Sequence, residues 1–263
     1  HANNSLNIQE FMIRPDGASS FEECMQMAFI TIQNLKKKLE KKGLSTGVGD
    51  EGGFAPSLNS DEEALDLIIS SVESSGLKIG KDISLCLDVA ANELLENGSY
   101  NISEKKYSNL ELIDFYDNLV KKYPITSIED PLEEDDWDSW TKLTNRIGKK
   151  TQIVGDDLFV TNVERLKKGI ANKSANSILI KLNQIGTVTE TLKTIELAQS
   201  SNFKTIISHR SGDTEDSFIS DLAVATGSNQ IKTGSLARSE RVAKYNRLLK
   251  IEELALKPGM AKL

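Results

Sequence analysis

The chain has 263 residues, enough for one large domain or two small ones, and its 38% hydrophobic content can build a substantial core. With 39 acids against 32 bases the net charge is -7, which argues against general attraction to nucleic acid or to anionic membranes. No apolar run approaches the roughly 18 residues needed to span a bilayer, and no signal-peptide pattern opens the chain, so the cytoplasm is the expected location.

The opening stretch LNIQEFMIRP (6–15) reads as a strand closed by a proline. A helix is predicted over 19–43, with serine at its start and glycine at its end. Next comes Gly49-Asp50-Glu51-Gly52-Gly53, two acids among three glycines, a composition expected where backbone must approach a ligand or where a loop must move. A second helix is predicted over 60–76, with Ser60 as N-cap and acids in its first turn.

From Ile83 onward short apolar runs alternate with amphipathic stretches. Strands are predicted over 83–88, 125–130, 151–157, 177–183, 204–210 and 230–234, and helices over 109–123, 189–201 and 217–227. That rhythm is the pitch of βα units feeding a parallel sheet, which makes the chain an α/β protein. Each run closes on a charged or polar residue: Asp88, Glu129, Asp156, Lys181, His209 and Lys232. A doubly wound sheet would use only the strands beside its switch point, whereas a TIM barrel gathers all its strand ends on one catalytic face, so the barrel is favoured. The order β, α, loop, α, then (βα)6 supplies seven strands, one short of closure. Because an open barrel exposes sheet edges, a chain opening at His1 without methionine is expected to begin inside a domain, one strand late. The two cysteines, Cys24 and Cys86, lack metal-ligand spacing and are expected to be buried free thiols.

Asp88, Glu129 and Asp156 are three carboxylates on successive strand ends, and such a cluster is costly without a cation. All-oxygen ligation suits Mg²⁺ or Mn²⁺ before Zn²⁺. Lys181 sits in an apolar run beside them, where an amine tuned by burial and charge can take a proton from carbon. Lys232 repeats the pattern two strands later. In SHRSG (208–212), Arg210 and Ser211 suit a phosphate or carboxylate, and a Ser–His hydrolase is disfavoured because no nucleophile elbow accompanies them. Glu10 and Glu51 are acids of the first strand and the glycine loop, and Glu51 is expected to swing on a mobile loop. The acid-rich EEDDWDSW (133–140) reads as a helix cap and first turn without chemistry.

The segments VGDEGGFAP, SIEDPLEEDDW, QIVGDDLFVTN, ILIKLNQIGT, ISHRSGDTEDSFISDLAV and QIKTGSLARSERVAKYNRLLKIEE, in order and along nearly the whole chain, closely resemble the enolase family of glycolytic phosphopyruvate hydratases. The resemblance implies an enolase-type TIM barrel of ββαα(βα)6 order over residues 1–263, here without its first strand and without the family's N-terminal α+β domain. It implies Mg²⁺ held by Asp88, Glu129 and Asp156, and Lys181 as the base toward the C2 proton of 2-phosphoglycerate. Glu51, supported by Glu10, would assist loss of the C3 hydroxyl to give phosphoenolpyruvate. Arg210 and Ser211 would hold the phosphate and Lys232 the carboxylate, with Glu129 and Asp156 close to the substrate and His1, Gln9, Asp157 and His209 lining the site.

Asn92 and Leu94–Leu95 stand where the family usually has a small polar residue and aromatics. The family's N-terminal part also supplies a loop serine to a second Mg²⁺, so a molecule ending at His1 is expected to turn over poorly. The family is typically a homodimer. Another member of the wider superfamily, a racemase or acid-sugar dehydratase, would lack both SHRSG and GDEGG. A non-catalytic role in binding plasminogen, from a cell-surface or secreted pool and through Lys262, is an additional expectation from the resemblance.

Overall fold

The computed structural model describes residues 6–102, 105–255 and 259–261; His1 and Lys262 lie outside the described residues. In chain order the elements begin with β1 (Glu10–Arg14), α1 (Phe21–Lys41), α2 (Asp61–Ser74) and β2 (Ser84–Asp88). A short insert of β3 (Leu95–Glu96), β4 (Ser99–Ile102) and β5 (Lys105–Tyr107) follows. Then come α3 (Asn109–Lys122), β6 (Ile125–Glu129), α4 (Trp137–Ile147), β7 (Gln152–Gly155), α5 (Val163–Asn172) and β8 (Ser177–Ile180). The chain continues through α6 (Leu182–Ile185), α7 (Val188–Ser200), β9 (Lys204–Ser208), α8 (Phe218–Ala225), β10 (Gln230–Lys232) and α9 (Ser239–Leu254).

Two compact units divide the described residues. A mid-chain unit joins Asn7–Met12 to Leu85–Ile206, and a terminal unit takes in the rest, chiefly Ile13–Ser84 and Ile207–Leu263. The main sheet has seven strands in the order β1–β2–β6–β7–β8–β9–β10, the number expected. Of its strands, β6, β7 and β8 lie wholly in the mid-chain unit. The last pairing belongs to the terminal unit, where the His209 N–H donates to the Lys232 carbonyl at 3.1 Å. Strands β2, β6, β7 and β8 run parallel, with Asp88 in register with Glu129, Glu129 with Val154, and Gly155 with Ile178. All of β2 and β8 is buried. That burial explains why these strands read as continuous apolar runs rather than as alternating ones.

The predicted helix starts hold. Ser20 and Ser60 accept the backbone N–H groups of Glu23 and Glu63, and Ser108 adds a capping box with Glu111. The small antiparallel sheet β3–β4–β5 was not expected, although its signal is in the sequence. Asn97 and Gly98 both have positive φ, 51° and 79°, the backbone of a tight hairpin turn that Asn-Gly favours. Leu95 therefore pairs with Tyr100, and Glu96 with Ser99. Cys86 is buried as expected, but Cys24 is only half-buried, on α1. Burial, with Asp16 and Glu252 nearby, pushes the Cys24 thiol up to about 11.

Phe159 fills the core beside the end of β7, fully buried, with Trp137 and Phe203 rings 6.3 and 6.1 Å away. Two glycines make its room. A Cβ on Gly155 would lie 2.6 Å from Phe159 Cδ2, and one on Gly169 would fall on the same ring. Gly155→Ala should therefore destabilise the protein by about 1–3 kcal/mol through overpacking. Thermal and denaturant midpoints read this directly; unchanged midpoints would mean the ring can step aside.

Candidate active site

The mid-chain unit collects the acids and one lysine. Asp88 and Glu129 are the last residues of neighbouring parallel strands in register, and both are buried. Asp156 follows β7 by one residue and is buried as well. The backbone amide of Asp130 donates to the Val154 carbonyl at 3.0 Å, and its carboxylate accepts the N–H groups of Asp156 and Asp157 at 2.9 and 2.8 Å. Asp130 also has φ 41°, a left-handed conformation that aspartate tolerates better than most side chains. It thus fixes the end of β6 to the turn that presents Asp156.

One carboxylate oxygen each from Asp130, Asp156 and Asp157 lies within 4.8 Å of the others. Burial, then the charges of Asp156, Asp157 and Asp88, push the Asp130 carboxyl well above its ordinary range. Burial also raises Asp156, against the opposing pull of Lys181. Lys181 Nζ donates to Asp156 Oδ2, while Asp156 Oδ1 is buried with no hydrogen-bond partner. A buried carboxylate oxygen left unpaired inside an acid cluster is the environment a hard cation relieves. Oxygen-only donors suit Mg²⁺, so these residues fit that ion.

Lys181 stands one residue past the end of its strand, as Asp156 does. β8 stops at Ile180 and Lys181 opens α6, with its backbone N–H donating to Thr161 Oγ1 at 2.9 Å. Asn92 bridges two acids: its Nδ2 donates to Glu134 Oε2 at 2.8 Å and to Asp157 Oδ2 at 3.0 Å. The stretch 133–140 caps α4 through Asp136 as predicted, yet Glu134 is thereby tied to the acid cluster. Gln9 precedes β1 and Glu10 opens it, both half-buried.

The terminal unit collects a second group. Glu51 Oε2 lies 3.1 Å from His209 Nε2, and His209 is buried. Burial holds the His209 imidazole below its ordinary pKa; Glu51 opposes this, and Arg241 and Lys232 add to it. Arg210 is half-buried and Ser211 exposed, directly after His209, while Lys232 closes β10.

In this structure the glycine loop is tied to the backbone around it. Its turn is closed by Gly52 N–H to Gly49 carbonyl at 3.0 Å and Gly49 N–H to Gly53 carbonyl at 2.8 Å. The Glu51 carbonyl accepts Ser235 N–H at 2.8 Å, and the Asp50 carbonyl accepts Arg241. Gly52 (φ 81°) and Gly234 (φ 87°) permit this approach, since their Cβ atoms would meet the carbonyls of Ala237 and Glu51 at 2.5 and 2.6 Å. Here glycine allows close backbone contact. The arrangement thus brings together Asp88, Glu129, Asp156 and Lys181 in one unit, and Glu51, His209, Arg210, Ser211 and Lys232 in the other. Asp130 and Arg241 are the site residues the sequence reading missed.

The family model described as "Enolase, C-terminal TIM barrel domain" matches residues 1–259. Among curated proteins the chain is 62% identical over 265 residues to Enolase of Pelagibacter ubique (strain HTCC1062). That match covers all of this chain and 63% of the relative, so the chain spans a little under two thirds of the length of the protein it matches.

Proposed function

This chain belongs to the enolase family, matching its C-terminal TIM barrel domain, and from that premise we propose that the full-length protein is a Mg²⁺-dependent phosphopyruvate hydratase. It would interconvert 2-phosphoglycerate and phosphoenolpyruvate. The observation that carries the reading is the Lys181–Asp156 contact at the edge of a buried carboxylate cluster with one orphaned oxygen.

A proton beside a carboxylate is weakly acidic, because its removal builds charge on a group already negative. Asp88, Glu129 and Asp156 would hold the cation. When bound, it supplies positive charge against that build-up, a strategy general to the enolase superfamily. Lys181, held by Thr161 and Asp156, takes the C2 proton on Nζ once its amine is neutral. Glu51 offers its carboxyl to the departing C3 hydroxyl, with the His209 ring hydrogen-bonded behind it. Arg210 and Ser211 would bind the phosphate, and Lys232 the substrate carboxylate, by charge-assisted hydrogen bonds. Both SHRSG and GDEGG are intact, which favours this reaction over other dehydratases of the superfamily.

The test is direct. Full-length protein with Mg²⁺ and 2-phosphoglycerate should form phosphoenolpyruvate, followed by its ultraviolet absorbance, and chelation should stop it. Folded, Mg²⁺-loaded protein that forms none would overturn the reading.

A further inference from the structure

We propose that Arg241 is a positioning residue that sets the tautomer of His209, and through it the hydrogen bond that His209 presents to Glu51. Arg241 lies on α9 and is fully buried, with relative exposure 0%. An arginine is rarely buried without a specific task for its fork of donors. Its two terminal nitrogens make four contacts. Nη1 donates to His209 Nδ1 at 2.6 Å and to the Arg210 carbonyl at 2.8 Å. Nη2 donates to the Asp50 carbonyl at 3.1 Å and to the Ser211 carbonyl at 2.6 Å. Only the Nε–H is left buried without a partner. The guanidinium thus holds the backbone on both sides of the Glu51–His209 contact.

The chemical consequence follows from donor counting. A guanidinium has no acceptor and stays charged, so a ring nitrogen 2.6 Å from Nη1 must offer a lone pair. His209 Nδ1 is then bare, and the single ring proton is on Nε2. That nitrogen faces Glu51 Oε2 at 3.1 Å and donates to it. An imidazolium would place a second N–H against the arginine, which keeps the ring neutral. The charged groups acting on the ring are Glu51, which favours protonation, and Arg241 and Lys232, which oppose it. Asp213 Oδ2 lies 3.8 Å from Arg241 Nη1. Glu51 is therefore met by a fixed donor, and its orientation is set before substrate arrives.

The tautomer can be read without turnover. Full-length protein labelled with ¹⁵N-histidine should show His209, identified by the signals lost in His209→Gln, with a protonated Nε2 and a bare Nδ1 from pH 8 down to pH 6. A proton on Nδ1, or a doubly protonated ring at pH 7, would overturn the proposal from the wild-type spectrum alone, whether or not any variant folds. Arg241→Lys keeps the charge but cannot span four acceptors. It should give mixed tautomers and a higher His209 pKa, with kcat for dehydration down about a hundredfold and KM changed far less, the scale expected for misplacing a reacting group by about 1 Å. The same tautomer and titration in Arg241→Lys as in wild type would also overturn it. The turnover effect rests on the dehydration reading and the tautomer does not. Wild-type protein with the expected spectrum but no dehydration would sink that reading and leave the role of Arg241 standing.

Discussion

Lys181→Arg is expected to lose about four orders of magnitude in dehydration, the upper end of what a positioned general base contributes. Arginine keeps the positive charge beside Asp156 but does not release its proton in a protein, so it preserves the ion pair and removes the base. Alanine would be a poorer probe, because it leaves a buried carboxylate without its counter-charge and mixes stability into the result. Two readouts separate the steps. Exchange of the C2 hydrogen of 2-phosphoglycerate with solvent should fall together with dehydration in Lys181→Arg. In Glu51→Gln, exchange should persist while dehydration falls, because in the proposed mechanism Glu51 serves the C3 hydroxyl and not C2. If Lys181→Arg kept exchange within tenfold of wild type, the base would have to be another residue.

The second large effect is on cation-dependent stability. Mg²⁺ that binds the folded protein alone should raise its stability by RT ln(1 + [L]/Kd), about 2.7 kcal/mol at a hundred times Kd. Glu129→Gln removes one buried carboxylate charge while leaving the Lys181–Asp156 pair in place. The stability gained with Mg²⁺, read from thermal midpoints, should shrink by at least the ~1.4 kcal/mol that corresponds to tenfold in affinity. Without the cation, the variant should unfold no earlier than wild type, since one fewer negative charge faces the cluster. A Mg²⁺ response equal to that of wild type would remove Glu129 from the ligand set.

What could be read from the sequence is explained by where the information is stored. Strands β2 and β8 are buried throughout, so an apolar run closed by Asp88 or Lys181 announces both the strand and its functional end. Asp130 was overlooked because its task is to accept two backbone N–H groups 26 and 27 residues away, and no local pattern marks such an acceptor. Arg241 belongs to the series Arg241, Lys244, Arg247, Lys250, spaced every third residue along α9, which reads as a solvated basic face. The structure splits that face. Arg241 and Lys244 are buried, whereas Lys250 is exposed in an ion pair with Glu253. The contacts of the glycine loop were illegible for a related reason: the backbone it approaches, 234–237, lies far along the chain, so no local pattern marks them. The hairpin at Asn97-Gly98 needed no tertiary information and was visible in the dipeptide itself.

Arg241 also bears on the order in which the protein matures during synthesis. The Asp50 carbonyl it holds lies 191 residues upstream and the His209 ring 32 residues upstream, so neither gains this hold until α9 has been translated. Every residue of the mid-chain unit, Lys181 and its acids included, precedes that point. Since folding proceeds from the N-terminal side as the chain emerges, the carboxylate–lysine cluster can form early, while the Arg241 brace on the Glu51–His209 contact waits for the last helix. A ribosome stalled before α9 would then present a chain whose Glu51–His209 pair lacks the guanidinium that braces it.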